Sequence, residues 1–265
     1  MNIKTLLDKD YETALLALIY LTDKSRNFLI LNQDMEISDN LYERVLNIIK
    51  KVNSNYPVQY AIGKWNFYGI DLKVNENALI PRFETELLVE ETIKRAKTIG
   101  AKKILDIGTG SGAISIALAK NLEDASIVGI DISKKALKLA NENRLLHNLS
   151  NLEFIESDLF SNVDQRFDII VSNPPYISKK DYDNLDEKLY YEPQDALLAK
   201  EDGLYFYKRI IKDSMSYLNK NGIILFEIGY DQRQKVVDLF KEYNFRHIKS
   251  IKDFNDFDRI VLAYK

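Results

Sequence analysis

Lys103-Ile-Leu-Asp-Ile-Gly-Thr-Gly-Ser-Gly112 decides the fold. Lys103 to Ile107 is a short apolar run of strand length, and the stretch from Ser111 to Asn121 reads as a helix. Between them Gly108, Gly110 and Gly112 make a turn in which the backbone is bare. The same alternation continues outward in both directions. Upstream, a helical stretch from Glu84 to Lys97 ends at Gly100. Downstream come a strand at Ser126–Ile130, a helix at Ser133–His147, and strands at Leu152–Ile155 and Phe167–Val171. A helix over Leu204–Leu218 and a strand over Ile223–Ile228 follow. Short apolar runs separated by helices predict a parallel sheet covered on both faces. The tail departs from this pattern. Arg246–Ile251 and Arg259–Tyr264 are two strands joined by a polar loop too short for a parallel crossover, so they are expected to pair antiparallel. The fold class is therefore α/β, with parallel strands and a C-terminal antiparallel hairpin.

The first residues read differently. Leu6, Leu7, Tyr11, Leu15 and Leu18 recur at helical spacing, as do Leu41, Val45, Ile48, Ile49 and Val52. Asn32-Gln33-Asp34 reads as a turn between them, and Ser38-Asp39-Asn40 as an N-cap for the second group. Asn53 to Pro57 breaks the pattern, and Phe67 to Val74 suits a short hairpin. The expected organisation is a small helical domain over 1–55, a linker with a β-hairpin over 56–82, and the α/β domain over 83–265.

Composition closes off several kinds of chemistry. The 265 residues contain no Cys, which excludes a disulfide scaffold, a thiolate metal site and a Cys nucleophile. Two His make the usual zinc ligand sets hard to assemble. Lys and Arg number 37 against 40 acids, so no global positive field is available to hold nucleic acid. The longest apolar run near the start, Ala14 to Leu21, falls well short of the ~20 residues that span a bilayer. With no signal-peptide pattern at the N-terminus, a cytoplasmic protein without membrane attachment is expected.

A glycine turn between a strand and a helix offers free N–H groups to a ligand. Asp131 closes the next strand, where a carboxylate can accept hydrogen bonds from two ribose hydroxyls. Gly108, Gly110 and Ala113 also satisfy the dinucleotide pattern, so these residues alone leave NAD and S-adenosylmethionine both open. Asp106 shifts the balance, because an acid just before the glycines would repel a pyrophosphate but suits the sulfonium and amino groups of S-adenosylmethionine. Asp158, after the third strand, is a candidate for the adenine amino group.

Ser172-Asn-Pro-Pro-Tyr176 follows the fourth strand. Two prolines fix φ and remove two donors, leaving carbonyls that only accept. The Asn173 side-chain oxygen and the Pro174 carbonyl can take both hydrogens of a planar –NH₂ group, while Tyr176 lies against its plane. Accepting from those N–H groups favours the positive charge that develops on nitrogen during transfer. Because no strong base is required, no side chain is expected to titrate in the rate between about pH 6 and 8.

These motifs together resemble the class I S-adenosylmethionine-dependent methyltransferases, and within them the peptide chain release factor glutamine methyltransferases (the HemK/PrmC family). The resemblance also takes in Pro57 to Gly63, Ile80-Pro-Arg-Phe-Glu-Thr-Glu86, Glu192-Pro193 and Glu227-Ile-Gly229. Phe83 stands where that segment of the family usually has proline, and Ala61 where isoleucine is frequent. The resemblance implies a Rossmann-like methyltransferase domain over 83–265; the helical domain, which carries no catalytic constellation, is expected to dock the protein substrate, which needs more surface than one glutamine offers. The resemblance also implies donor contacts from Gly108, Thr109, Gly110, Ser111, Gly112, Asp131 and the Asp158-Leu159 segment, with Asn173 at the donor's edge. Asn173, Pro174, Pro175 and Tyr176 would hold the substrate amide. The implied acceptor is the glutamine of the Gly-Gly-Gln loop of class 1 release factors. An amino-methyltransferase acting on adenine or cytosine can use the same turn, but it should show a basic face or a recognition segment. A helical binding module on a degenerate Rossmann-like domain is the non-enzymatic alternative.

Overall fold

The computed structural model describes residues 1–265. The chain begins with helices α1 (Ile3–Leu7), α2 (Tyr11–Thr22), α3 (Arg26–Leu31) and α4 (Asp39–Val52). Each starts on a short polar side chain: Asn2, Asp10, Ser25 and Ser38 accept from the N–H three residues on. Ser38 thus caps the helix as its sequence suggests. The single periodic run expected from Leu6 to Leu18 is two helices, because Asp10 turns out of helical geometry to cap α2. Ile3, Leu6, Leu15, Leu18, Leu29 and Val45 are fully buried in one small core. Helix α5 (Val58–Ile62) follows Pro57 and adds Ala61 and Ile62 to that core.

Strands β1 (Lys64–Phe67) and β2 (Ile70–Lys73) form the expected antiparallel hairpin. It joins the two halves of the molecule. Trp65 stacks on Tyr20 of α2 at 5.6 Å, while Phe67, Ile70 and Leu72 are buried in the core of the larger half.

That larger half runs α6 (Phe83–Ile99), β3 (Lys103–Ile107), α7 (Ala113–Asn121), β4 (Ser126–Asp131), α8 (Lys134–Leu146), β5 (Leu152–Glu156) and β6 (Phe167–Ser172). After a long connection holding the single turn α9 (Lys179–Tyr182) come α10 (Tyr205–Tyr217), β7 (Leu218–Glu227), α11 (Arg233–Glu242), β8 (Arg246–Lys252) and β9 (Asp258–Tyr264). The seven strands lie in the order β5-β4-β3-β6-β7-β9-β8. The first five are parallel, and β9 runs antiparallel to both β7 and β8. The antiparallel tail expected from its short loop is present. Alternate residues feed opposite faces, Ile104 one core and Leu105 the other, as a sheet covered on both sides requires.

Further elements differ from the sequence expectation, among them α3, which is not anticipated, and β7, which begins at Leu218 rather than Ile223. Helix α7 begins at Ala113 rather than Ser111, because Gly110 and Gly112 hold left-handed φ values of 57° and 83°. Helix α11 is not anticipated either, although its buried Val236, Leu239 and Phe240 stand at helical spacing among charged and amide residues. No helix is long and apolar enough to cross a membrane.

Candidate active site

Strand order places the site. From β3 the chain steps outward to β4 and β5, then returns to lay β6 against the other side of β3. A reversal of this kind opens a crevice at the carboxyl ends of the two central strands. Ile107 and Ser172 are register partners there, and the Ser172 hydroxyl donates to the Ile107 carbonyl at 2.7 Å. Gly108 and Asn173 therefore leave the sheet side by side, although 65 positions separate them.

The loop from Gly108 is bound to β4: the N–H groups of Gly108 and Thr109 both donate to the Ile130 carbonyl, at 2.8 and 2.9 Å. The glycines divide into two kinds. A Cβ on Gly108, whose φ is 73°, would meet nothing within 4 Å, so the backbone there faces open space. A Cβ on Gly112 would lie 2.9 Å from the Phe154 ring and 3.2 Å from both Ala140 and Ile116. Gly112 is thus demanded by packing and by its φ of 83°. Thr109 and Ser111 are buried.

Asp106 is fully buried. Its Oδ2 accepts from the hydroxyls of Thr109 and Ser115, at 2.7 and 2.6 Å, which ties the glycine loop to α7. Its Oδ1 has no partner. Burial pushes the carboxyl up to about 6, against the pull of the two hydroxyls. An unspent buried acceptor beneath a bare glycine loop fits the ammonium of a methionine-like ligand and does not fit a pyrophosphate. Asp131 ends β4, its Oδ2 accepting from Gly110 N (2.9 Å) and its Oδ1 from Ser133 N (2.8 Å). Burial raises its pKa, and these backbone N–H groups oppose the rise. Each oxygen keeps a lone pair for a hydroxyl donor.

On the other side of the crevice, Asn173, Pro174, Pro175 and Tyr176 line a cavity of about 130 Å³ together with Leu79, Arg82 and Glu227. The Asn173 Nδ2 donates to Thr85 Oγ1 at 3.1 Å, and the Thr85 hydroxyl donates to Glu227 Oε2 at 2.6 Å. The Tyr176 hydroxyl donates to Glu227 Oε1 at 3.4 Å. Gln232 bridges the Tyr176 carbonyl and the Gly229 N–H, both at 3.0 Å. Arg82 pairs with Glu192, a buried carboxylate that also accepts from Ile80 N at 2.9 Å.

The crevice thus brings together the glycine loop, Asp106, Asp131 and the turn from Asn173 to Tyr176. Asp158 lies in the loop after β5, two strands from β3. Its carboxylate is half-exposed and pairs with Arg209 at 3.2 Å. Leu159 takes a left-handed φ of 48° and packs against the core on that face. His147 bonds the Asp71 carbonyl, and His247 sits on the edge strand β8. Sequence reasoning gave no individual role to Thr85, Glu227, Arg82 or Glu192. Their signal was present in the segments Ile80–Glu86, Glu192-Pro193 and Glu227–Gly229, but only contacts across the fold show what each touches.

Comparison with known proteins gives a consistent result. A family model described as the methyltransferase small domain matches residues 83–258, and one described as the PrmC N-terminal domain matches residues 7–63. A release factor glutamine methyltransferase of Buchnera aphidicola subsp. Schizaphis graminum is 41% identical over 255 residues, 96% of this chain and 92% of that protein. One from Fusobacterium nucleatum subsp. nucleatum is 46% identical over 221 residues, 82% of this chain; the match spans only 62% of that protein's own length. Among solved structures, the ribosomal protein L11 methylase from Lactobacillus delbrueckii subsp. bulgaricus superposes with a TM-score of 0.54 at 24% identity. That match covers 73% of this chain and 84% of the other, and it is a likeness of fold.

Proposed function

The chain belongs to the release factor glutamine methyltransferase family, and from that premise we propose that it methylates the side-chain amide nitrogen of the glutamine in the Gly-Gly-Gln motif of class 1 peptide chain release factors. S-adenosylmethionine, when bound, supplies an electrophilic methyl group, and the loop from Gly108 to Gly112, Asp131, the free oxygen of Asp106 and the Asp158-Leu159 segment are the residues that would hold it.

The observation that carries this reading is the pairing of Ile107 with Ser172, which sets a bare glycine loop beside a turn rich in acceptors. With its Nδ2 committed to Thr85, Asn173 has its Oδ1 free to accept an amide N–H, and the Pro174 carbonyl is the second acceptor. Holding both hydrogens draws electron density onto nitrogen and stabilises the positive charge that grows there. The same contacts align the nitrogen, and Tyr176 packs its ring on the amide plane. The side chains of the turn provide no base, and none is needed before transfer, since the amide proton becomes acidic only once nitrogen carries the extra substituent.

Asn173→Ala tests the assignment. Transfer to a release factor should fall by roughly 10²–10³, the scale for one polar transition-state contact, while donor affinity changes little. An equal loss of both, or an unchanged rate, would contradict it.

A further inference from the structure

Thr85 has one hydroxyl proton and stands between two partners, Asn173 on one side and Glu227 on the other. An ionised carboxylate only accepts, so it takes that proton and leaves the Thr85 oxygen nothing but lone pairs for Asn173. Asn173 must then present its NH₂ to Thr85, which turns its Oδ1 the other way. A protonated carboxyl can instead donate to Thr85, whose proton becomes free to meet either end of the Asn173 amide. The NH₂ group of a reversed Asn173 could not accept from a substrate N–H. Both carboxyl oxygens of Glu227 are already engaged, by Thr85 and by the Tyr176 hydroxyl.

We propose that Glu227 is a positioning residue: its ionised carboxylate, acting through Thr85 and Tyr176, fixes which way the Asn173 amide faces and how the Tyr176 ring is held. The role deepens the methyl-transfer reading above and depends on it only for the acceptor used in the kinetic measurement.

The surroundings put this device within reach of neutral pH. Glu227 is buried at the end of β7, and burial pushes its carboxyl up to about 7. Glu84, on the first turn of α6, pushes in the same direction, while Arg259 on β9 draws it down. Arg259 is itself held by Asp253 at 3.1 Å. The hydroxyls of Thr85 and Tyr176 also favour the charged form, and the Tyr207 hydroxyl donates to the Glu227 backbone carbonyl at 2.8 Å. Arg82 lines the same cavity. The sign follows: above the midpoint Glu227 is ionised and Asn173 is locked; below it the lock relaxes and transfer slows. A pH-independent rate, expected from the absence of a base, gives way to one that declines on the acid side.

The test reads Asn173 directly. The side-chain amide resonances of Asn173, assigned by their loss in Asn173→Ala, are followed between about pH 5.5 and 8.5 in the intact protein. They should shift with a midpoint near 7 in the wild type and not in Glu227→Gln. In parallel, kcat for methylation of a release factor should decline on the acid side in the wild type. In Glu227→Gln and Thr85→Val it should be ~10–100-fold lower and flat with pH, with the donor Kd within about threefold, while Thr85→Ser keeps the wild-type profile. Asn173 signals that ignore pH in the wild type, or wild-type kcat and profile in Glu227→Gln, would overturn the role. The resonance measurement needs no acceptor. An intact response in a protein that methylates no release factor would support the positioning role and defeat only the choice of acceptor.

Discussion

Asp131 shows how much a single residue can announce. It closes a strand in the sequence, it closes β4 in the structure, and its two oxygens already accept from Gly110 and Ser133. Those contacts leave each oxygen a further lone pair and tie down the loop that would meet the same ligand. Asp131→Ala should weaken S-adenosylmethionine binding by ~1.5–3 kcal/mol, the usual loss for hydrogen bonds to a charged group. Titration calorimetry measures this, and an unchanged affinity would remove Asp131 from the donor site. The glycines, Asp131 and the turn from Asn173 to Tyr176 were legible because each works through its own stretch of chain. Thr85 and Glu227 were not, because 142 positions separate them and only the packing of α6 against the sheet makes them partners. Gly112 carries a second demand that its place in the loop does not announce. It reads like the other glycines of its loop, yet its neighbours Phe154, Ala140 and Ile116 show that it serves the packing of α7.

Among the elements, the sheet was the legible part. Short apolar runs separated by helices for the parallel core, and one short polar loop for the antiparallel tail, were enough to order the expectation. The connection from β6 to α10 was not legible, since it is built from single turns that leave no period to read. That connection nonetheless ties the acceptor turn to the helical domain. Asn55 donates to Glu187 at 2.7 Å, and Tyr56 meets the edge of Tyr191 with ring centroids 5.1 Å apart. The helical domain thereby fixes one wall of the site. Each contact is worth about 1 kcal/mol, so losing both in Asn55→Ala/Tyr191→Ala should raise KM for an intact release factor by up to roughly 30-fold. Donor affinity, measured in parallel, should stay as it was. A loss of donor binding, or no change in KM, would show that the tie does not organise the acceptor side.

At the scale of the whole molecule, the two domains enclose a cleft of about 590 Å³ that shares Arg82 and Leu189 with the smaller amide cavity. Glu12, Leu16 and Arg26 line it from the helical side, and Asp186 and Lys188 from the other. A stable protein partner needs far more surface than one side chain offers, and a cleft spanning both domains beside the amide cavity extends the contact in that direction. Charge points the same way: a net −3 with acids and bases mixed gives no field for a phosphate backbone. The most direct measurement incubates the protein with S-adenosylmethionine and an intact class 1 release factor, then locates the modification by tandem mass spectrometry. A single methyl group on the side-chain nitrogen of the Gly-Gly-Gln glutamine, absent when that glutamine is replaced by glutamate, is the result predicted here. A methyl group on another residue, on the glutamate variant, or on nucleic acid supplied in its place would contradict the account.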